Sequence, residues 1–386
     1  MIAAATASTP VFAGDQERRQ AKRIHDRLAG VPPTAAVLDT MEQYIIDGDI
    51  LSAARAAMDH PAFYNVTLKQ FVTPWTNEEQ TVFAPLNDYT ATVIGLIRDD
   101  ADFRTVLYGD VLYVGASSLD LPPYSASGNA HYRAMEDNNI NLGDPAQLVA
   151  TTQSAVTGLP PTATAGIMTT RAAARAFFID GTNRAMLRFT FINHLCTDLE
   201  PIKDTSRPPD RIRQDVSRSP GGDSRIFLNN CIGCHAGMDP LAQAFAYYDY
   251  DYDSDTDPDG ENGRLVYSDG VVQEKYLINA SNFKYGYATP DDRWDNYWRA
   301  GPNALLGWDN TLPGGGNGAK SLGIELAHSE AFATCQVEKV FKTVCLRSPT
   351  DSADRSQLTA MVSSFEANNY RLKQVFAEAA AYCMGD

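Results

Sequence analysis

The pentapeptide Cys231-Ile232-Gly233-Cys234-His235 constrains this 386-residue chain more than any other part of its sequence. Its spacing brings two thiols and an imidazole onto a single turn of backbone. The order C-x-x-C-H is the attachment sequence of c-type haem. Cys231 and Cys234 would form thioethers with the vinyl groups of one haem, and His235 would bind the iron as proximal ligand. The motif therefore predicts one covalent haem c and a local fold that presents all three side chains to it.

Two other interpretations of the cysteine pair explain less of the motif. A zinc site needs further ligands at close spacing, and the sequence has no second C-x-x-C and no H-x-x-x-H. A redox dithiol begins a helix that follows a strand, and the apolar segment 226–228 is too short to indicate a strand. Neither alternative gives a role to the histidine directly after the second cysteine.

The remaining four cysteines predict two disulfides, since an even number remains and haem attachment implies export. These four are Cys196, Cys335, Cys345 and Cys383. Apolar residues at helical spacing over 329–346 would put Cys335 and Cys345 on one helix, roughly 15 Å apart, whereas bridged Cα atoms lie within about 7 Å. Two further helices, 356–367 and 370–383, would return the chain beside the end of the first. We therefore expect Cys345–Cys383 and, by elimination, Cys196–Cys335.

The net charge and the lack of long apolar segments limit the partners of the chain. A formal net charge of -16 argues against nucleic acid or an anionic membrane and favours a redox protein with a basic surface. No run of about eighteen apolar residues exists, so no membrane span is expected. Residues 1–13 resemble a signal-peptide remnant, with a disordered terminus as the alternative. Because haem is attached to C-x-x-C-H outside the cytoplasm, we expect a periplasmic or extracellular protein.

Hydrophobic periodicity predicts a mainly α fold in two parts. Residues 14–150 are expected to form a helical N-terminal domain, with Asp15, Thr34 and Asp49 as helix caps. Residues 151–386 are expected to form a helical, cytochrome c-like domain with long irregular loops, an acidic loop and three C-terminal helices. Further expectations are a strand over 106–114, a loop over 117–164, helices over 169–178, 182–195 and 239–247, and a loop over 314–321.

An acidic run between the haem motif and the C-terminal helices indicates calcium binding. Asp255, Asp257 and Asp259 alternate with other residues before Gly260, as in the first half of an EF-hand loop. The twelfth position is Val266, where an EF-hand has a bidentate glutamate, so the run is not an EF-hand. Glu261 could complete a looser calcium site. The alternative is a solvated acidic loop.

The second axial ligand of the iron is harder to predict. No methionine lies between Met238 and Met361, and Met238 is too close to His235 to reach the other face of the haem. Met168, at a loop-to-helix junction, and His194, at a helix end, are the leading distal candidates. His328 is a third candidate, and an open distal position is the alternative.

Several segments together resemble the haem-bearing modules of planctomycete-type cytochrome c proteins. The matching segments are Gly166-Ile167-Met168-Thr169, Cys231 to His235 with Met238-Asp239-Pro240-Leu241, Phe332-Ala333-Thr334-Cys335, and, near the N-terminus, Lys22 to Pro33. The resemblance implies a mainly helical, exported protein with one haem. The long acidic loop departs from the family pattern, so the resemblance does not imply that this chain has the same partner as the family.

These observations favour an exported electron carrier that exchanges electrons with another redox protein. No acid–base pair or activated nucleophile is evident, so no catalytic residue is predicted. One alternative is a haem enzyme, peroxidase- or oxygenase-like, with an open distal site. Another is a binding or assembly module on the cell exterior, stabilised by haem and calcium and able to self-assemble.

Overall fold

The computed structural model describes residues 15–385 and confirms the mainly α class, with 53% helix and 6% strand. The predicted signal-peptide remnant, residues 1–13, lies outside the described residues. Within the described range, no helix combines the length and the apolar surface needed to cross a membrane.

The N-terminal part is a group of helices that begin where the sequence supplies capping side chains. The α-helices are α1 (Asp15–Ala29), α2 (Ala35–Ile46), α3 (Ile50–Met58), α4 (Lys69–Val72), α5 (Asp88–Arg98) and α6 (Ala130–Asp137). Thr34 accepts a hydrogen bond from the Val37 amide at 3.3 Å, and Asp49 accepts one from Ser52 at 3.1 Å. These contacts confirm two of the predicted caps, because each satisfies an amide left free in the first turn.

The segments after α5 differ from the sequence prediction. A 3₁₀ helix (Phe103–Leu107) precedes strand β1 (Leu112–Gly115), so the strand predicted over 106–114 is correct only at its end. The loop predicted over 117–164 is wrong in part, because it contains α6, β2 (Leu148–Thr151) and α7 (Gln153–Thr157). Strand β2 pairs antiparallel with β1. More than thirty residues separate the two strands, so the sequence around either one does not indicate the pairing.

The central part carries the C-x-x-C-H motif (Cys231–His235) on a nearly continuous helical segment. Its helices are α8 (Arg171–Phe177), α9 (Arg184–Leu195), α10 (Ser224–Ile226) and α11 (Ile232–Ala242), with a π-helical turn (Phe227–Cys231) between the last two. Two antiparallel pairs follow, formed by β3 (Tyr248–Asp251) with β4 (Arg264–Tyr267) and by β5 (Arg293–Asp295) with β6 (Gly315–Asn317). The helix predicted over 239–247 therefore starts earlier, at Ile232, and ends earlier.

Short helical turns connect these elements. A π-helix spans Phe63–Leu68, and 3₁₀ turns span Thr73–Thr76, Gly166–Thr169, Pro220–Gly222, Gln243–Phe245, Glu274–Tyr276, Ala280–Asn282, Tyr297–Arg299 and Pro302–Leu306.

The C-terminal helices carry both disulfides and confirm the predicted pairing. These helices are α12 (Gly318–Ala327), α13 (Glu330–Cys345), α14 (Ser352–Ala367) and α15 (Leu372–Tyr382). Helix α12 was not predicted, because its glycine-rich start reads as a loop. Cys345 is bonded to Cys383 and Cys196 to Cys335, with Cα atoms 5.4 and 5.2 Å apart. The bridges therefore join α13 to the end of α15 and to the end of α9.

One large hydrophobic cluster includes residues from both predicted domains. Phe63 meets Phe376 of α15 with ring centroids 5.3 Å apart, and Phe103 meets Phe332 of α13 at 6.3 Å. The domain boundary predicted between residues 150 and 151 falls inside β2. A smaller hydrophobic cluster contacts Cys231 of the C-x-x-C-H motif. It consists of Ile212, Val216, Phe227 and Ala236.

Candidate haem-attachment site

The helical segment 224–242 presents the motif residues on one side. Cys231 ends the π-helical turn, and Cys234 and His235 lie in the first turn of α11. Residues three and four apart share a face of a helix, so the three side chains are neighbours. Both motif cysteines are free and half-buried, whereas the other four cysteines form disulfides. The site therefore has two thiols available for covalent attachment.

The His235 ring is oriented by a buried carboxylate. Its Nδ1 lies 3.1 Å from Oδ1 of Asp239, one turn further along α11. The His235 side chain is 21% exposed, and that of Asp239 is fully buried. With Nδ1 engaged by a carboxylate, Nε2 is the nitrogen left to bind a metal, an arrangement typical of histidine ligands in metalloproteins.

Two arginines stabilise the negative charge of Asp239. Arg184 donates to both carboxylate oxygens, from Nε at 2.7 Å and from Nη2 at 2.9 Å, and the Arg213 amide donates to Oδ2 at 3.1 Å. Burial opposes ionisation of Asp239, but the charges of Arg184 and Arg213 outweigh it and hold the pKa of this carboxyl well below its usual value. Arg184 also pairs with Asp215, its Nη2 lying 3.0 Å from Oδ1. His235 therefore faces a fully ionised carboxylate.

The opposite side of α11 is fixed by close packing at two glycines. A Cβ added at Gly237 would lie 2.2 Å from Nε1 of Trp298, a fully buried side chain. The Gly233 carbonyl accepts a hydrogen bond from the Asp204 amide at 2.8 Å. At 3.6 residues a turn, these glycines lie on the side of the helix away from Cys231 and His235. The tight contacts hold the helix so that the motif side chains remain on its outer side.

The donor set and its surroundings fit a covalently bound haem. Two unbridged thiols and an imidazole with Nε2 available are the groups that c-type attachment requires. Leu228, one helical turn before Cys231, is 54% exposed, and Ile226 is 41% exposed. Apolar side chains at this edge would suit contact with a porphyrin.

The surroundings of Cys234 disfavour a redox dithiol. Burial, followed by the nearby Glu200 carboxylate, raises the pKa of the Cys234 thiol. Both cysteines lie within a helical segment that begins at Ser224, so neither thiol is at a helix N-terminus. Reactive dithiols have the opposite properties, a lowered pKa and a helix N-terminus beside the thiol.

The candidate distal ligands contact residues outside the motif. Met168 is fully buried near Gly323 of α12. Nε2 of His194 lies 3.0 Å from the Tyr89 hydroxyl, and burial holds the pKa of this ring well below its usual value. Nδ1 of His328 donates to the Ile324 carbonyl at 2.8 Å. None of these contacts includes a motif residue, so distal ligation by Met168 or His194 stays a prediction.

Residues of the acidic run form hydrogen bonds and ion pairs with other residues of the protein. Asp257 accepts hydrogen bonds from the amides of Glu261, at 2.9 Å, and Asn262, at 2.6 Å. Glu261 forms an ion pair with Arg175 at 2.8 Å, and the Asp259 carbonyl accepts from Arg175 at 2.9 Å. In residues 15–385, no three His, Cys, Asp or Glu side chains form a group that could hold a metal ion. Calcium binding by Asp255, Asp257, Asp259 and Glu261 stays a prediction without support from this geometry.

Sequence reasoning missed the carboxylate and the arginines behind His235. The spacing of His235 and Asp239 is itself a signal, because positions i and i+4 of a helix are neighbours. Arg184 and Arg213 carry no such signal, since each reaches Asp239 from another part of the chain.

Comparison of the chain with protein-family models, with curated proteins and with solved structures finds no match. The proposal of function therefore depends on the geometry of the site.

Proposed function

We propose that this chain is an exported c-type cytochrome that holds one haem through Cys231 and Cys234, with His235 as proximal ligand. One observation carries the proposal. The only thiols left out of disulfides within residues 15–385 lie on one helical face with an imidazole whose second nitrogen is engaged by Asp239. Zinc coordination or redox chemistry at the same cysteines would give no role to His235 beside them.

The chain's own residues would set the properties of the iron. A bound haem would supply reversible one-electron chemistry. His235 would present Nε2 to the iron, while Asp239 holds the proton on Nδ1 and fixes the ring plane. A carboxylate behind the imidazole makes it a stronger electron donor, which favours the ferric state. The arginines maintain that carboxylate in its ionised form.

The chemistry of the rest of the chain agrees with export and with a basic partner. Two disulfides persist in oxidising compartments and are rare in the cytosol. A net charge of -16 favours encounter with a positively charged redox protein, at a rate that falls with ionic strength.

A haem enzyme is the second candidate, and two observations favour it. His194 and Met168 are buried in contacts elsewhere, which would leave the distal position open. His235 paired with an ionised Asp239 would also donate more electron density to a bound haem iron, a property that suits catalysis as well as electron transfer.

The absorbance spectra of the oxidised and reduced protein distinguish the two candidates. An electron carrier is expected to be low-spin in both oxidation states, to cycle reversibly at an electrode and to turn over no peroxide. A high-spin ferric spectrum together with peroxide consumption would replace the carrier with the enzyme. A protein with no haem absorbance after expression with the c-type maturation machinery would contradict both.

A further inference from the structure

An arginine-lined cavity lies between α6, α8 and the acidic run, apart from the haem motif. Its volume is about 430 Å³, within the range of small-molecule sites. Arg133 of α6 and Arg171 and Arg175 of α8 line it, and no motif residue does. Three guanidinium groups around one cavity stand out in a chain with a net charge of -16.

Arg171 supplies a buried donor that lacks an acceptor. The residue is 6% exposed, and its Nε has no hydrogen-bond partner. Its Nη2 donates to the Glu261 carbonyl. A buried donor without an acceptor costs free energy. An anion in the cavity would recover that cost by accepting from Nε.

The Glu261 side chain shows how a carboxylate binds here. Oε1 lies 2.8 Å from Nη2 of Arg175, and Oε2 lies 3.2 Å from Nη2 of Arg133, so each oxygen meets a different arginine. The side chains of these three residues are between 34 and 53% exposed. Ion pairs at such exposure are weak, so a second carboxylate can compete for the same arginines.

The rest of the lining favours a ligand with one charge and a hydrocarbon body. Ala172, Ala176, Phe177 and Ile179 form an apolar wall beside the arginines. Four exposed carboxylates besides Glu261 also line the cavity, those of Glu78, Glu79, Asp180 and Asp259. These carboxylates would repel a multiply charged anion more strongly than a singly charged one.

We propose that this cavity binds a small organic monocarboxylate, which displaces the Glu261 side chain from Arg133 and Arg175. The ligand carboxylate accepts from these arginines and from Nε of Arg171, and its hydrocarbon part packs on Phe177 and Ile179. The site is independent of the haem and adds a ligand that the proposed function does not require.

Calorimetric titration of the full-length protein with hexanoate tests the site, with 1-hexanol as the uncharged probe. We expect saturable binding of hexanoate and none of hexanol.

Glu261→Gln removes the internal competitor and is expected to tighten binding about fivefold, the order of a half-exposed ion pair. Arg175→Gln is expected to abolish binding. Arg264→Gln removes an arginine of β4 that pairs with Asp251 of β3, outside the cavity, and is expected to leave the affinity unchanged.

Three results would overturn the proposal. The first is equal binding of hexanol, which would make the site merely apolar. The second is unchanged or weaker binding by Glu261→Gln, which would exclude displacement. The third is no saturable binding by either the wild type or Glu261→Gln. Unfolding midpoints of all variants show that each is folded, and all three substituted side chains are partly or largely exposed.

Discussion

Asp239 is the residue on which the properties of the proposed iron site depend most. It is fully buried, ionised and in contact with His235, Arg184 and the Arg213 amide. The sequence could place a lone aspartate beside the motif histidine, but it could not show whether that aspartate is charged. The structure supplies the reason for its charge, since two arginines from distant segments surround it.

Replacing Asp239 with asparagine is expected to raise the reduction potential of the proposed haem. The amide would still accept from Nδ1 but would carry no charge, so His235 would donate less electron density to a bound iron and would stabilise its ferric form less. A tenfold change in relative affinity for the two oxidation states corresponds to about 60 mV for one electron, and outer partners of ligands have effects of about this size. Potentiometric titration of the wild type and the variant measures the shift.

Asp215→Asn is the matched control for this substitution. Asp215 pairs with Arg184 but makes no contact with His235. An equal shift in both variants would show that Arg184, rather than the carboxylate on His235, controls the potential. An unchanged potential in Asp239→Asn would remove the assigned role of Asp239.

At the scale of elements, the C-terminal helices depend on their two cross-links. The Cys345–Cys383 bridge closes a sequence separation of 38 residues and Cys196–Cys335 one of 139. Loss of chain entropy in the unfolded state predicts stabilisation of about 4 kcal/mol for the first and about 5 kcal/mol for the second. Paired Cys→Ala variants and urea unfolding measure both. A loss under about 1 kcal/mol would show that helix packing alone holds these elements.

The start of α14 is expected to make stability depend on acid. Arg347, the Thr350 amide and Tyr382 all donate to Asp354, and the Arg347 contact chiefly holds the pKa of Asp354 well below its usual value. The carboxylate therefore stays ionised at lower pH in the folded chain than in the unfolded one. Its contribution is complete above about pH 4, the usual aspartate range, and is lost as pH falls further.

Asp354→Asn is expected to lower stability at neutral pH and to weaken its decline below about pH 4. Urea unfolding between neutral and acidic pH measures both effects. Asp255→Asn, at an exposed position of the acidic run, serves as the control and is expected to leave the profile unchanged. An identical acid dependence in Asp354→Asn and the wild type would refute the assignment.

Local sequence signals predicted most of the helices, whereas elements that depend on contacts between distant residues were missed. Capping side chains at Thr34 and Asp49 marked helix starts, and helical spacing with a distance limit paired Cys345 with Cys383. The short strand β2 was missed because its partner β1 lies more than thirty residues away. Helix α12 was missed because the residues before it are glycines. Tertiary packing, rather than local preference, forms both elements.

At the scale of the whole molecule, the two ends of the described chain are joined. Gln20 and Arg27 of α1 donate to the carbonyls of Gly385 and Cys383, each at 2.7 Å. Helices α1 and α3 pack on α15, so the N-terminal helices contribute to the same core as the C-terminal ones. The sequence predicted both groups of helices. It did not predict their contact, because that contact joins residues more than three hundred positions apart.

We propose that this acidic, disulfide-bonded protein carries one haem on Cys231 and Cys234. Mass spectrometry of the peptide containing residues 231–235 tests it most directly, on protein made with the c-type maturation machinery and denatured in acidic acetone. We expect that one haem remains bound to this peptide and that Cys231→Ala with Cys234→Ala yields protein without haem. A wild-type peptide with two free thiols or an internal disulfide, and no attached haem, would contradict it.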